Sequence, residues 1–241
     1  LISLIKNLII PFSAFYSGSN GGSFAQLYRV AAVQAVPRFL SSAMPSIYQL
    51  KPLFQQLLRP VLAGLHRAGI SANAVTVAAA LASVAYGGWL WLYPGSRWAW
   101  GLLPAFLLLR MALNAIDGLL AREFNQQSRL GAILNETGDV VSDAALYAPF
   151  ALLPGASAAL VGLVVVLAVL TEFVGVLGQV VGAERRYEGP AGKSDRAFVF
   201  GALALAVGLG LPAGPYLHYL FGIVALLLLL TCWNRARKAL G

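Results

Sequence analysis

Side chains able to do chemistry concentrate in one stretch, Asn114 to Asp143, which reads NAIDGLLAREFNQQSRLGAILNETGDVVSD. Asn114, Asp117 and Ala121 follow one another at spacings of three and four, so on a helix they stack along one face. Gly131, Asn135, Asp139 and Asp143 recur every four residues and form a second polar stripe. A short connection between the stripes makes their helices antiparallel neighbours, and Asn114 and Asp117 then face Asn135 and Asp139. The cluster offers oxygen ligands with no thiolate or imidazole, the donor set of a hard divalent cation such as Mg²⁺, Mn²⁺ or Ca²⁺. Mg²⁺ held by carboxylates and substrate phosphates is the usual arrangement for phosphoryl chemistry, with one carboxylate taking the proton of an attacking hydroxyl. Gly118 exposes backbone on the same face, so a ligand can approach closely. Arg122 stands at the membrane boundary, where it suits a phosphate oxygen. A purely structural role is the weaker alternative, because interhelical polar contacts in membranes contribute only ~0.6 kcal/mol on average.

The elements that must position these groups are membrane helices. Of 241 residues, 59% are hydrophobic and 11% charged, against about 25% charged in a soluble chain. The single Cys232 excludes a disulfide framework and any multi-cysteine metal site. His66 and His218 have no ligand-spaced partner. The formal charge of +8 comes from 17 basic and 9 acidic residues. The basic residues flank apolar spans, a topology signal, and no nucleic-acid-binding motif is present.

The pattern predicts an all-α integral membrane fold: an interfacial amphipathic helix over 46–68, then six spans at about 71–93, 98–120, 130–153, 156–181, 197–211 and 216–233. Residues 1–45 read as an extension, with the membrane domain over 46–241. Pro60 is expected to kink or break the interfacial helix. Ser71 or Asn73 caps the first span. Trp89, Trp91, Tyr93, Trp98 and Trp100 read as an aromatic belt around the Pro94–Gly95–Ser96 turn. Lys51, Arg59 and Arg67 precede span one, Arg122 and Arg129 join spans two and three, and Arg185, Arg186, Lys193 and Arg196 join four and five. Arg235, Arg237 and Lys238 follow span six, while the other connections carry only Arg97. The positive-inside rule therefore turns both termini and the Asn114–Asp143 cluster to the cytoplasm. Arg110 either pairs with an acid or snorkels, and Glu172 lines the cavity or pairs helices.

At this point the sequence resembles the CDP-alcohol phosphotransferases, in a poorly characterised bacterial branch. Their signature runs Asp-x2-Asp-Gly-x2-Ala-Arg, eight residues, Gly-x3-Asp-x3-Asp. The corresponding residues here are Asn114, Asp117, Gly118, Ala121, Arg122, Gly131, Asn135 and Asp139, six of eight matching without insertion or deletion. The resemblance implies transfer of a phosphatidyl or phosphoalcohol unit from a CDP-diacylglycerol-like donor to an alcohol, with release of CMP, in phospholipid biosynthesis. It also implies a bacterial inner-membrane location, contact with membrane lipids and a homodimer. By the same resemblance Asn114, Asp117, Asn135 and Asp139 hold one or two divalent ions, Mg²⁺ or Mn²⁺, and Asp139 is the base. Gly118, Ala121, Arg122 and Gly131 shape the CDP pocket. Lys193 and Arg196 are candidates for a donor or acceptor phosphate; positive-inside topology explains them equally well. Asn114 and Asn135 depart from the signature. An amide keeps a carbonyl oxygen but lacks the charge and bridging capacity of a carboxylate, so a non-catalytic CDP-lipid-binding or scaffold protein is the alternative. Glu136, Asp143 and Glu172 are accessory acids. Asp143 lies one turn, ~5.4 Å, deeper than Asp139, and Glu136 is rotated ~100° from Asn135.

Overall fold

The computed structural model describes residues 58–212 and 214–241. The extension over 1–45 and most of the expected interfacial helix lie outside them. The described part of that helix, 58–67, is continuous on both sides of Pro60. It turns Leu62 inward and stacks His66 on Phe124 with ring centroids 3.8 Å apart.

Six longer helices follow: α1 (Ala72–Leu92), α2 (Arg97–Glu123), α3 (Arg129–Tyr147), α4 (Ala158–Val180), α5 (Lys193–Gly208) and α6 (Gly214–Leu240). No strand occurs among the described residues. α1, α2, α4 and α6 are long and apolar enough to cross a membrane. α3 carries the polar stripe, and α5 has 16 residues. α1 packs on α2 and α3, α2 on α5, and α4 on α3 and α6.

Serines start four of these helices. The hydroxyls of Ser71, Ser96, Ser128 and Ser157 accept the amides of Ala74, Ala99, Gly131 and Leu160, each satisfying one unpaired first-turn donor. Ser71 is thus the cap of α1, and Asn73 lies inside it. The α2–α3 connection is short, and Asn125 adopts a left-handed conformation there (φ 54°). The Gln126 side-chain oxygen accepts the Ala72 amide at 2.7 Å, tying this connection to the start of α1.

Several elements differ from their sequence expectation. α3 ends at Tyr147 and gives way to a 3₁₀ turn, Ala148–Leu152, that contains Pro149. α5 starts at Lys193 rather than near Ala197, because Asp195 reaches back to the Gly192 amide at 3.0 Å. Lys193 and Arg196 are therefore first-turn helical residues, not loop residues. α6 continues to Leu240, with Arg237 and Lys238 in its last turn, where cations suit the helix dipole. Trp100 does not belong to the aromatic belt. Trp91 and Trp98 are exposed, but Trp100 lies about 200° round the helix from Trp98 and is buried. Its indole donates to the Pro94 carbonyl at 2.8 Å and its ring meets Phe150 edge-on at 4.7 Å. The apolar core continues through Tyr147 stacked on Phe200, centroids 3.9 Å apart, and through Phe221.

Candidate active site

The polar stripes of α2 and α3 open into two cavities that share a wall. Asn114 and Asn135 line both. The first cavity lies between the starts of α1 and α3 and the end of α2. Its lining includes Asn73, Thr76, Asp117, Gly118, Ala121, Arg122 and Gly131. The second is closed by α3, α4, the α4–α5 loop, α5 and α6. Its lining includes Glu136, Asp139, Glu172, Arg185, Tyr187, Lys193, Asp195 and Arg235.

In the first cavity, Asp117 is buried, and its Oδ2 lies 2.7 Å from the Thr76 hydroxyl. Gly131 is required by close approach: a Cβ there would stand 2.7 Å from Asn73 Oδ1 and 3.0 Å from Ser128 Oγ. The charged side chains of this lining are Asp117 and the exposed Arg122.

In the second cavity, Asp139 Oδ1 accepts Asn114 Nδ2 at 2.8 Å and pairs with Lys193 Nζ. Arg110 Nη2 donates to the Asp139 carbonyl at 3.1 Å. Arg185 Nη2 lies 2.6 Å from Glu136 Oε2 and 3.1 Å from Glu172 Oε2. Burial works against the Arg185 charge, but Glu136 and Tyr187 together raise the guanidinium above its ordinary value.

Behind both cavities runs a buried ionic network. Asp143 sits between Arg110 Nη1 at 2.6 Å and Arg196 Nη2 at 2.8 Å. Arg196 continues to Glu172 Oε1 at 2.8 Å, and its Nη1 donates to the Thr171 hydroxyl at 3.1 Å and the Ala191 carbonyl at 3.2 Å. Glu172 Oε2 lies 3.3 Å from Arg235 Nη1, which also donates to the Thr171 carbonyl. Arg110, Asp143, Glu172, Arg196 and Arg235 are all buried. A buried charge is tolerated when it is paired and hydrogen-bonded, and this network ties five helices together.

The sequence-predicted residues thus separate into three sets. Asn114, Asp117, Gly118, Ala121, Arg122, Gly131 and Asn135 meet in the first cavity, and Asn114, Asn135, Glu136, Asp139 and Lys193 in the second. Asp143, Glu172 and Arg196 join the buried network, with Glu172 also reaching the second cavity. Every nitrogen of Arg196 is engaged by protein oxygens, so it holds the framework rather than facing a free ligand. Arg185 and Arg235 read in the sequence only as topology-setting charges. Nothing in their spacing points from Arg185 to Glu136, 49 residues away, or from Arg235 to Glu172, 63 residues away.

This all-helical assembly, with an oxygen-rich cleft between two signature helices, defines a class of membrane enzyme scaffold, and the comparisons identify it. The sequence model of the CDP-alcohol phosphatidyltransferase family matches residues 70–233, and the chain belongs to that family. It is 50% identical over 195 residues to inner membrane protein YnbA of Escherichia coli (strain K12), covering 81% of this chain and 96% of that protein. It is 35% identical over 102 residues to a phosphatidylinositol phosphate synthase of Streptomyces avermitilis, covering 42% of this chain and 40% of the synthase. The chain therefore spans about two-fifths of that synthase's length. The fold is similar to the crystal structure of Mycobacterium tuberculosis phosphatidylinositol phosphate synthase (PgsA1) with CDP-DAG bound. The TM-score is 0.63 at 22% identity, over 76% of this chain and 94% of that one. The same enzyme in complex with manganese and citrate gives a TM-score of 0.62 at 21% identity, over 75% of this chain and 88% of that one.

The family implies a divalent cation. Among the described residues no three His, Cys, Asp or Glu side chains gather where they could hold a metal ion. One carboxylate, Asp117, and the amide oxygens of Asn114 and Asn135 fit one hard ion whose other ligands are substrate phosphates. Asp139 accepts from the Asn114 amide and pairs with Lys193.

Proposed function

We propose that this protein transfers a phosphatidyl or phosphoalcohol group from a CDP-linked donor to an alcohol, releasing CMP, as a step in phospholipid biosynthesis. The observation that carries this reading is the shared wall. Asp117 lines one cavity, Asp139 the other, and Asn114 and Asn135 stand between them. A CDP-linked donor occupies the first cavity, where Gly118 and Gly131 leave room and Arg122 meets a phosphate oxygen. The acceptor enters the second. Asp117, Asn114 and Asn135 would hold a divalent ion, Mg²⁺ or Mn²⁺, which would neutralise charge on the donor phosphates. Asp139 takes the acceptor hydroxyl proton. The acceptor oxygen bonds to the phosphorus of the transferred group as the bond from that phosphorus to the CMP oxygen breaks. Arg110 and Lys193 hold the Asp139 segment, and Arg196, Asp143 and Glu172 fix the helices behind it.

In this reading α3 and α5 cross the membrane with the other four, their polar faces turned inward. The termini and both cavities face the cytoplasm, by the placement of Lys and Arg. The membrane is the bacterial inner membrane, as the similarity to YnbA supports, and the working unit is a homodimer. Purified protein in nanodiscs with CDP-diacylglycerol, Mg²⁺ and a panel of alcohols should release CMP, and Asp139→Ala should abolish it with expression intact. A second reading, a non-catalytic CDP-lipid-binding protein, has the Asn114 and Lys193 contacts to Asp139 behind it. It predicts donor binding with no CMP from any acceptor.

A further inference from the structure

The contacts of Asp139 are one-sided. Its Oδ1 accepts Asn114 Nδ2 at 2.8 Å, pairs with Lys193 Nζ and lies 3.5 Å from Arg110 Nη2. Its Oδ2 meets no donor among the described residues. The carboxylate is therefore fastened by one oxygen, and the other is left to the second cavity, whose lining Asp139 joins. Donors from α2 and α5 converge on the fastened atom, so two helices other than its own fix its position. A general base needs a free lone pair held within hydrogen-bond reach of the proton it takes. A misplacement of about 1 Å costs on the order of 10²-fold in rate.

Asn114 has a second edge. An amide that faces a carboxylate presents its NH2 group, and its carbonyl oxygen then lies on the opposite edge. Asn114 also lines the first cavity, three residues before Asp117 on the same face of α2. One side chain thus gives a donor to Asp139 and keeps an acceptor for the first cavity. An aspartate at this position would supply the acceptor, but ionised it has no proton to donate. It would instead set a second negative charge at hydrogen-bond distance from Asp139 Oδ1. The asparagine that departs from the family signature is therefore the residue type this contact requires.

We propose that Asn114 is a positioning residue, which holds Asp139 by Oδ1 so that Oδ2 is presented to the acceptor hydroxyl. Lys193 secures the same oxygen from α5. The hydroxyl proton passes to Oδ2 as the bond from the acceptor oxygen to phosphorus forms. The proposal rests on the transferase reading.

The experiment compares the wild type, Asn114→Asp and Lys193→Met in nanodiscs. CMP release from CDP-diacylglycerol is followed over a range of acceptor and Mg²⁺ concentrations, and Mn²⁺ binding is measured in parallel. Asn114→Asp should lose about 10–10²-fold in kcat, with the acceptor KM unchanged and Mn²⁺ bound at least as tightly as by the wild type. A merely structural role would instead weaken metal binding and raise KM along with the loss of kcat. A kcat for Asn114→Asp at or above the wild-type value, at any Mg²⁺ concentration, overturns the proposal, because position 114 would then serve the metal and not Asp139. Lys193→Met changes a partly exposed side chain and keeps the test open should Asn114→Asp fail to fold. It should lower kcat at unchanged KM. A raised KM at unchanged kcat would give Lys193 to the acceptor and overturn its hold on Asp139. Wild-type turnover with no loss in either variant defeats the proposal alone. A wild type silent with every acceptor defeats the transferase reading, and the proposal with it.

Discussion

The two cavities meet at Asn114 and Asn135 yet are built on opposite electrostatic plans. Around Asp117 the lining is sparsely charged, and its carboxylate meets a neutral hydroxyl, that of Thr76. Around Asp139 the lining is dense with ions, and each cation is held by an acid. A single buried carboxylate beside glycines, with no cation among the described residues paired to it, suits a ligand that brings its own charge and metal. A set of matched pairs suits a fixed geometry. The two asparagines separate these plans without adding charge to either.

The strongest test of this division is to remove each aspartate in turn. Asp139→Asn should leave CDP-diacylglycerol and Mn²⁺ binding near the wild-type level while lowering CMP release by about 10²–10⁴-fold, the range of a general base. Asp117→Asn should lose Mn²⁺ binding and weaken donor binding. Isothermal titration beside a CMP assay separates the two. If Asp139→Asn lost donor and metal binding as completely as Asp117→Asn, the cavities would be one site.

Next in size is the buried network that supports the second cavity. Glu172→Gln removes the carboxylate shared by Arg185, Arg196 and Arg235. Arg196 keeps Asp143 and Arg185 keeps Glu136, but the charge of Arg235 is left with carbonyl oxygens. Breaking one side of a buried pair costs about 3–5 kcal/mol, so thermal unfolding in nanodiscs should move down by many degrees. Thr76→Val, in the first cavity, removes a neutral hydroxyl that meets Asp117 and the Ala72 carbonyl and should cost less. Equal losses would mean that the first cavity is as rigidly built as the second.

The shared wall gives a smaller effect. The wild type should bind one Mn²⁺ per chain, read from the free-ion signal in electron paramagnetic resonance. The double substitution Asn114→Asp and Asn135→Asp adds two carboxylates at the boundary and should tighten Mn²⁺ binding at least about tenfold, with a second ion appearing at higher concentration. Two ions in the wild type would mean that the asparagines serve as ligands as well as acids do, and the contrast drawn across the wall would fail.

The same division explains what could be read from the chain alone. The first cavity was legible because it is local: two helical stripes joined by a short connection, with fixed spacing from Asn114 to Asp139. Ser71, expected as a cap, likewise acts within one turn of its own position. The second cavity takes Asn135, Glu136 and Asp139 from the same stretch, but Arg185 meets Glu136 and Arg235 meets Glu172 across separations of 49 and 63 residues, pairings that no local spacing encodes. Positive-inside topology accounts for the presence of such arginines but carries no information about their partners. Lys193 and Arg196 read as part of the polar connection in the sequence, but the early start of α5, set by Asp195 and Gly192, makes them helical and decides which acids they meet. Trp100 shows the same limit in reverse: composition put it in a belt, and helical phase puts it in the core.

The smallest expected effect lies at the edge of the second cavity. Glu188, on the α4–α5 loop, accepts the Tyr187 amide at 3.0 Å and lies 3.7 Å from both Arg186 Nη1 and Lys238 Nζ. Burial opposes its charge, but the amides of Glu188 and Tyr187 together with Lys238 and Arg186 hold the carboxyl below its ordinary value of 4.5. A carboxylate whose folded value is the lower one contributes stability above the unfolded value. It loses that contribution as pH falls through the folded value. Glu188→Gln should therefore unfold slightly below the wild type at pH 7, by about 2 °C for a partly exposed pair. The difference should vanish below pH 4.5 as the wild type protonates. A gap that persisted unchanged into acid would assign the stabilisation to the hydrogen bonds of the loop rather than to charge. The electrostatic contrast between the cavities would then stop at the buried pairs and not extend to this loop.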